Sequence, residues 1–261
     1  METGTAFERL AQIMARLRAP DGCPWDREQT LASLQPYLIE ETYEVLEAMD
    51  SDKPMEHCSE LGDLLLQIVF QARIRQEEGH FELKDVADAI SNKLERRHPH
   101  VFGEAIAENS TDVRKSWHEL KQAEKARAGG DQSALAGVPR KLPALLRAFR
   151  LGEKASNVGF DWSDVSGPLA KLSEELAELN EAIEQNQPGE IEHEIGDCLF
   201  SIANLCRHTG IDPERALQRA NDRFNERFRT VESLVSETGQ RFDEQDEATL
   251  DRYWEQAKQQ T

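Results

Sequence analysis

One arrangement of five acidic residues occurs twice in this chain, and each residue of the second copy lies 134 positions after its counterpart in the first, as from Glu40 to Glu174. The first copy comprises Glu40, Glu41, Glu44, Glu60 and Asp63, and the second comprises Glu174, Glu175, Glu178, Glu194 and Asp197. Repetition of all five positions in register predicts a duplicated domain. Clustered carboxylates on facing helices are a means of holding a hard divalent cation such as Mg2+.

The apolar residues recur with helical periodicity along most of the chain, and no segment shows a convincing strand pattern. Prolines and glycines stand at several ends of the predicted helices, and loops are predicted at 19–26 and 158–162. The predicted helices cover residues 7–18, 34–49, 54–78, 83–97, 113–128, 149–155, 168–185, 188–209, 213–235 and 247–259.

The order of these elements predicts an all-α fold with two related helical domains. We expect these domains at residues 1–128 and 144–261, joined by a linker at 129–143 that contains glycine and serine. Each domain alone is too thin to cover its apolar faces. We therefore expect four-helix-bundle-type cores that are completed by packing between the domains or against a second chain.

The charge of the chain restricts its partners. Fifty acidic residues against 31 basic residues give a net charge of −19, which repels nucleic acid. The longest apolar run, residues 64–70 with an interruption at Gln67, is too short to span a bilayer, and the N-terminal residues lack the pattern of a signal peptide. We expect a cytoplasmic protein with free thiols that binds neither nucleic-acid polymers nor membranes.

The second acidic helix of each copy is apolar almost all round, which predicts that it is buried. Buried carboxylates without partners are costly, and a bound cation removes that cost. The alternative is that the acids only stabilise a helix N-terminus. Pro54 and Pro188 place the helix starts six residues before Glu60 and Glu194, beyond the first turn, and therefore favour the metal site.

Each copy is followed by two basic residues at helical spacing and then by a Trp-x-x-x-Lys element. The first set is Lys93, Arg97, Trp117 and Lys121, and the second is Arg223, Arg227, Trp254 and Lys258. Cations of this kind can contact phosphate oxygens while a base stacks on the tryptophan. The alternative is a ladder of helical salt bridges beside a core tryptophan. The ordered set favours a nucleoside triphosphate carried with Mg2+.

These residues resemble the MazG-like all-α nucleotide pyrophosphohydrolases. The resemblance covers nearly the whole chain, and the segments that carry it are the acidic pattern Glu-Glu-x-x-Glu with Glu-x-x-Asp, CPWDREQT at 23–30, ELGDLL at 60–65, RRHPHVF at 96–102 and VGFDW at 158–162. Many relatives carry histidine where this chain has Leu31, so a polar group is absent near the first site.

The resemblance implies hydrolysis of nucleoside triphosphates, ATP included, to the monophosphate and pyrophosphate. It also implies a homodimer that depends on Mg2+, with Mn2+ as the second candidate ion. The implied metal ligands are Glu41, Glu44, Glu60 and Asp63 in the first half and Glu175, Glu178, Glu194 and Asp197 in the second. Arg223, Arg227, Trp254 and Lys258 match nucleotide-contacting positions, and Lys93, Arg97, Trp117 and Lys121 extend the assignment through the repeat.

The expected chemistry is attack of water on the α-phosphorus, with Glu40 and Glu174 as candidate general bases. One alternative is a non-catalytic nucleotide sensor in one of the halves. Another is a di-iron bundle, which needs Glu-x-x-His on two helices. Glu95-x-x-His98 and Glu190-x-x-His193 have this spacing, but neither is in register with a repeat partner.

Overall fold

The computed structural model describes residues 2–104, 109, 113, 131 and 133–260. Every regular element in this part of the chain is a helix, which confirms the prediction of an all-α fold. The chain divides into two compact units, residues 1–124 and 125–261.

The first unit is organised around its longest helix, α4, which packs against α1, α3 and α5. Its core comprises Met14, Leu34, Val69, Phe70 and Ile74, which come from α1, the turn before α3, and α4. The helices of this unit are α1 (Thr3–Leu17), α2 (Pro24–Glu28), α3 (Gln35–Asp50), α4 (Pro54–Glu77), α5 (Leu83–Arg97) and α6 (Pro99–Phe102).

The second unit repeats the pair of acidic helices and ends in a further pair of packed helices. The helix α9 packs against α7 and α8, and α10 packs against α7 and α11. Val231, Val235 and Ala257 form the core between α10 and α11. The helices of this unit are α7 (Ala144–Ser156), α8 (Ser166–Glu184), α9 (Pro188–Thr209), α10 (Pro213–Glu237) and α11 (Glu247–Gln260), with a 3-10 turn at Phe242–Glu244.

Most predicted helices occur with ends shifted by a few residues, and those predicted at 83–97 and 188–209 have the observed bounds. The prediction of a continuous loop at 19–26 is wrong, because this segment enters the short helix α2 at Pro24. Proline suits a first helical position, since its fixed φ matches the helix and its missing N–H has no partner to lose. The helix predicted at 113–128 lies outside the described residues, except for Val113, which is helical.

The two acidic helices of each unit are joined by only three residues, 51–53 in the first unit and 185–187 in the second. So short a connection makes consecutive helices antiparallel neighbours. The second helix of each pair begins with a proline, which is Pro54 in the first unit and Pro188 in the second. This shared geometry sets the same register for both pairs of acidic helices.

Both units leave apolar side chains uncovered on their acidic helices. Leu61 and Ile68 on α4 are 47% and 41% exposed, and their counterparts Ile195 and Ile202 on α9 are 45% and 38% exposed. The described helices include none with the length and hydropathy of a membrane span. The exposed positions therefore repeat along with the acidic ones.

Candidate functional site

The antiparallel helix pairs bring carboxylates from both helices together in each unit. Glu41 on α3 joins Glu60 and Asp63 on α4, and one carboxylate oxygen from each lies within 4.8 Å of the other two. Glu175 on α8 joins Glu194 and Asp197 on α9 within the same limit. We call these the N-terminal and C-terminal carboxylate groups. Among the residues that the structure describes, no other set of His, Cys, Asp or Glu side chains has this arrangement.

The fourth predicted ligand of each half lies beside its group. The Glu44 carboxyl contributes to raising the pKa of Glu41, and the charge of Glu178 contributes to raising the pKa of Glu194. One helical turn separates each of these residues from the preceding glutamate of the group, since Glu44 follows Glu41 by three positions. Side-chain rotation can therefore bring each of these carboxylates to a cation that is held by the group of its own unit.

The N-terminal group concentrates negative charge around Glu41. Burial raises the pKa of Glu41 above its usual value, and the carboxylates of Asp63, Glu44 and Glu40 raise it further. Glu40 itself is exposed on α3. Mutual repulsion of this kind is relieved when a cation binds between the carboxylates.

The C-terminal group already has a cation beside it. Lys171 Nζ lies 2.6 Å from Glu175 Oε1 and 2.8 Å from Glu174 Oε1. The Lys171 ammonium lowers the pKa of Glu175, whose side chain is only 5% exposed. His193 Nε2 also lies 3.3 Å from Asp197 Oδ2. The contact of Lys171 with Glu175 was not predicted from the repeat. The four-residue spacing of these two residues is nevertheless a signal for a helical ion pair.

The carboxylate groups fit a hard divalent metal ion. Glu194 Oε2 is buried and has no hydrogen-bond partner. Burial raises the pKa of Glu194, and the Glu178 charge adds to that effect. Mg2+ and Mn2+ both prefer oxygen donors. A buried carboxylate oxygen without a partner, in a group of converging carboxylates, is therefore suited to bind either ion.

The predicted substrate contacts lie on helices that follow the acidic pairs. Lys93 is exposed and Arg97 half-buried on α5, whereas Trp117 and Lys121 lie outside the described residues. Arg223 is exposed on α10, and the buried Nε of Arg227 on the same helix has no hydrogen-bond partner.

The C-terminal tryptophan lies in an aromatic cluster between α10 and α11. The Trp254 ring centroid lies 5.3 Å from that of Phe224, which follows Arg223 directly. Phe224 also stacks with Phe228 at 5.9 Å, and Lys258 pairs with Glu255 on α11. The aromatic neighbours were not predicted, although the four-residue spacing of the two phenylalanines is a signal for adjacent rings on one helix face.

The geometry gives no support to a di-iron centre in the described part of the chain. His98 ends α5, where its Nδ1 lies 2.7 Å from the Leu94 carbonyl oxygen. Neither carboxylate group contains a histidine ligand. His193 instead lies next to the Asp197 carboxylate of the C-terminal group.

The chain is similar to known proteins in both halves. The family model of the MazG nucleotide pyrophosphohydrolase domain matches residues 29–102 and 166–232. The chain is 46% identical over 257 residues to a nucleoside triphosphate pyrophosphohydrolase of Escherichia coli strain K12, with 97% of each chain covered.

Two further relatives differ in how much of the chain they share. The nucleoside triphosphate pyrophosphohydrolase/pyrophosphatase MazG of Thermotoga maritima is 46% identical over 257 residues, which is 98% of this chain and 97% of the relative. A nucleoside triphosphate pyrophosphohydrolase of Mycobacterium tuberculosis is 39% identical over 156 residues, which is 58% of this chain and 46% of the relative. The two segments that match the family model contain the two carboxylate groups.

Proposed function

Because the chain belongs to the MazG nucleotide pyrophosphohydrolase family, we propose that its two carboxylate groups are the sites of the reaction that its relatives are named for. The chain is an enzyme that hydrolyses nucleoside triphosphates to the monophosphate and pyrophosphate. The observation that carries the site assignment is the convergence of Glu175, Glu194 and Asp197, with one orphaned carboxylate oxygen.

We assign a divalent metal ion to each carboxylate group, with Mg2+ as the ion and Mn2+ as its substitute. The ligands in the first half are Glu41, Glu44, Glu60 and Asp63, and those in the second are Glu175, Glu178, Glu194 and Asp197. When bound, the metal supplies positive charge that neutralises the phosphates and polarises the attacking water. All of the donors are carboxylate oxygens, which suits these hard ions.

The reaction forms a bond between the water oxygen and the α-phosphorus and breaks the bond from that phosphorus to the bridging oxygen of pyrophosphate. Glu174 in the second half, and Glu40 in the first, accept the proton that the water loses. Both are exposed and precede a member of the carboxylate group by one residue. The proton acceptor is therefore next to the metal site without being one of its ligands.

Basic and aromatic side chains hold the substrate. In the second half Arg223, Arg227 and Lys258 donate hydrogen bonds to phosphate oxygens, which stabilises the charge that builds on the leaving pyrophosphate. The unpaired Nε of Arg227 supports this role. Trp254 provides a face for the base. Lys93, Arg97, Trp117 and Lys121 are the proposed substrate-binding residues of the first half.

We propose a homodimer in the cytoplasm. The supporting observation is the apolar stripe on α8, where Leu169, Leu176 and Ile183 recur every seven residues and are 52%, 48% and 53% exposed. The described part of their own unit leaves them exposed, and a second copy is the partner that we propose. The four free cysteines suit a reducing compartment, and the charge of −19 disfavours nucleic-acid polymers.

The experiment that tests this function is product analysis with Mg2+ and a panel of nucleoside triphosphates. We expect equal amounts of monophosphate and pyrophosphate, and no orthophosphate, in the absence of an added pyrophosphatase. Orthophosphate with a nucleoside diphosphate would place the cleavage at the other phosphoanhydride and contradict the assignment. Transfer of label from H2(18)O to the monophosphate, and not to pyrophosphate, locates the attack at the α-phosphorus.

Variants of each half identify where turnover occurs. Glu60→Ala/Asp63→Ala removes two ligands from the first group, and Glu194→Ala/Asp197→Ala removes the matching two from the second. We expect the combined variant to lose pyrophosphate release by on the order of 100-fold or more. Full activity in the combined variant would contradict both site assignments. If one double variant alone abolishes release, the other half is the non-catalytic sensor.

A further inference from the structure

Beyond one end of the N-terminal carboxylate group, the next turns of α3 and α4 carry an aromatic and an amide side chain instead of carboxylates. Tyr37 on α3 lies four residues before Glu41, and Gln67 on α4 lies four residues after Asp63. Because α3 and α4 are antiparallel neighbours, both residues extend the site in the same direction. One turn of helix, about 5.4 Å, separates them from the carboxylates.

Gln67 carries an unsatisfied hydrogen-bond acceptor at this point. The residue is only 6% exposed, and its side-chain Oε1 is buried without a hydrogen-bond partner. A buried amide oxygen without a donor lowers stability and therefore needs an explanation. Its neighbours Val69 and Phe70 are apolar core residues, so the amide would be easy to replace by an apolar side chain if packing were its only task.

Two aromatic rings stand at the same end of the N-terminal group. The centroids of Trp25 and Tyr37 are 5.9 Å apart in an edge-to-face arrangement, and the residues are 50% and 37% exposed. The backbone of α2 around Trp25 is held by side-chain hydrogen bonds, since the Gln29 side chain donates to the Trp25 carbonyl at 3.1 Å. Arg18 Nη1 donates to the next carbonyl, that of Asp26, at 2.5 Å. An ordered and exposed aromatic surface is suited to stacking with a flat ligand.

We propose that Trp25, Tyr37 and Gln67 form a nucleobase subsite in the N-terminal half. The base stacks on the aromatic pair, and its exocyclic amino group donates a hydrogen bond to Gln67 Oε1. This inference rests on the proposed function, because the carboxylate group with its metal holds the phosphates one turn away. The subsite selects bases that present an amino group, and it discriminates against analogues that carry hydrogen at that position.

The C-terminal half lacks this set of groups. At the repeat distance of 134 residues, Lys171 replaces Tyr37 and Ser201 replaces Gln67. Lys171 is occupied by Glu174 and Glu175. Ser201 is buried, but its hydroxyl oxygen lies two bonds closer to the backbone than the amide oxygen of glutamine. The amide and the aromatic pair are therefore features of the N-terminal half.

The test measures binding, so that it does not depend on turnover. The chain with Glu194→Ala/Asp197→Ala keeps only the N-terminal metal site, and calorimetry with Mg2+ and α,β-methylene nucleotides gives the dissociation constants. Three matched pairs differ only in the amino group, and they are the analogues of ATP and purine riboside triphosphate, of CTP and its 4-deamino (4-hydrogen) form, and of GTP and ITP. We expect the amino member of at least one pair to bind about fivefold more tightly.

Gln67→Met is the decisive variant, because methionine keeps the length of the side chain and removes the acceptor. We expect it to abolish the difference within the pair while the deamino member binds as before. Trp25→Leu should weaken all analogues alike, by about tenfold, since stacking is tolerant of base identity. Phe160→Leu, in segment 158–162 that corresponds to α2 at the repeat distance, is the control and should leave every dissociation constant unchanged.

The outcomes separate the inference from the proposed function. If the N-terminal half binds all analogues with no difference within any pair, the subsite is wrong, while the nucleotide site stands. A difference that persists in Gln67→Met also overturns it. If this background binds no nucleotide at all, the proposed function of the N-terminal half fails with it. The comparison within pairs uses the natural Gln67 and therefore does not depend on the folding of a variant.

Discussion

The two carboxylate groups have the same skeleton but different surroundings. Glu41 with Glu60 and Asp63, and Glu175 with Glu194 and Asp197, converge to within 4.8 Å in both cases. Burial and like charges raise the pKa of Glu41, whereas the Lys171 ammonium lowers the pKa of its counterpart Glu175. The same ligand positions therefore differ in charge balance before a metal binds.

This difference teaches that two separate parts of the sequence control the site. The three-residue connections between the acidic helices set which carboxylates meet, and those connections are equally long in both halves. The residue one turn before the group differs in charge, Tyr37 in one half and Lys171 in the other, and the Lys171 ammonium lowers the pKa of Glu175. Duplication preserved the first and allowed the second to diverge.

The largest effect that we expect is the loss of whole metal sites. Wild-type protein should bind two Mn2+ ions per chain, and each double variant, Glu60→Ala/Asp63→Ala or Glu194→Ala/Asp197→Ala, should bind one. Removing two carboxylates from a group leaves too few oxygen donors for a hard cation. Titration followed by the EPR signal of free Mn2+ counts the sites directly.

A matched control distinguishes ligand loss from loss of charge alone. Glu56→Ala/Asp88→Ala removes two exposed carboxylates from the same unit, outside the group, and should retain both Mn2+ ions. If wild-type protein binds a single ion that only one double variant removes, the equivalence of the two groups is broken. The group whose double variant leaves that ion in place would then be a copy that does not bind a metal.

The next effect concerns how the C-terminal half holds the loop before its first acidic helix. Arg207 binds Asp161 in that loop and lies beside Asn204, and Gly152 on α7 leaves room for both. A Cβ at Gly152 would lie 2.5 Å from Asn204 Oδ1 and 3.1 Å from Arg207 Nε. We expect Gly152→Ala to lower the free energy of unfolding by about 1–3 kcal/mol, measured by urea denaturation.

Gly189→Ala is the control for this change, because the new Cβ on α9 would have no atom within 4 Å beyond its chain neighbours and the backbone of its own helix. It should be neutral or slightly stabilising, since alanine is the better helix former. Equal stability of the two variants would mean that the Asn204 and Arg207 side chains move aside freely. In that case the loop of the C-terminal half is less fixed than its contacts indicate.

The anchor of the same loop should depend on pH. Arg207 and His208 hold the pKa of Asp161 far below its usual range. A carboxylate with a lowered folded-state pKa contributes stability that is present above the unfolded pKa of about 3.9 and lost as the pH falls toward the folded value. Asp161→Asn should therefore cost about 1–3 kcal/mol at pH 7, and this difference should shrink below about pH 4.

The first half offers a comparison for that anchor. There Arg18 binds Glu77 at the end of α4, and Arg18 with Arg73 lowers the pKa of Glu77 against the opposing effect of burial. Glu77→Gln should show the same sign and the same loss of effect in acid, measured by denaturation at pH 7 and below pH 4. A difference that is independent of pH would show that shape, and not charge, provides the anchoring in that half.

Much of the fold and of the carboxylate groups followed from the sequence, because both depend on local periodicity and on short connections. Pro54 and Pro188 fix the starts of α4 and α9, and the spacing from there to Glu60 and Glu194 is the same. The short helix α2 was missed, since its five residues are too few to display a periodic pattern.

The surroundings of the groups could not be predicted in the same way. The pairing of Lys171 with Glu175 is local and was within reach, but the isolation of Gln67 Oε1 depends on the tertiary packing that buries it. The anchor between Asp161 and Arg207 joins residues 46 positions apart, and no periodicity links them. Contacts of this kind depend on tertiary packing, which a single sequence does not display.

The smallest effect that we expect tests the difference from which the comparison began. Lys171→Met removes the ammonium that competes with a metal for Glu175, so Mn2+ should bind the C-terminal group about three- to tenfold more tightly, a modest change because Lys171 is partly exposed. The reciprocal variant, Tyr37→Lys, should weaken Mn2+ binding to the N-terminal group by a similar factor. Both are measured in chains that retain only the group in question. If neither affinity changes, Lys171 leaves the carboxylates freely when the ion arrives, and the two groups differ in their resting state but not in their affinity for metal.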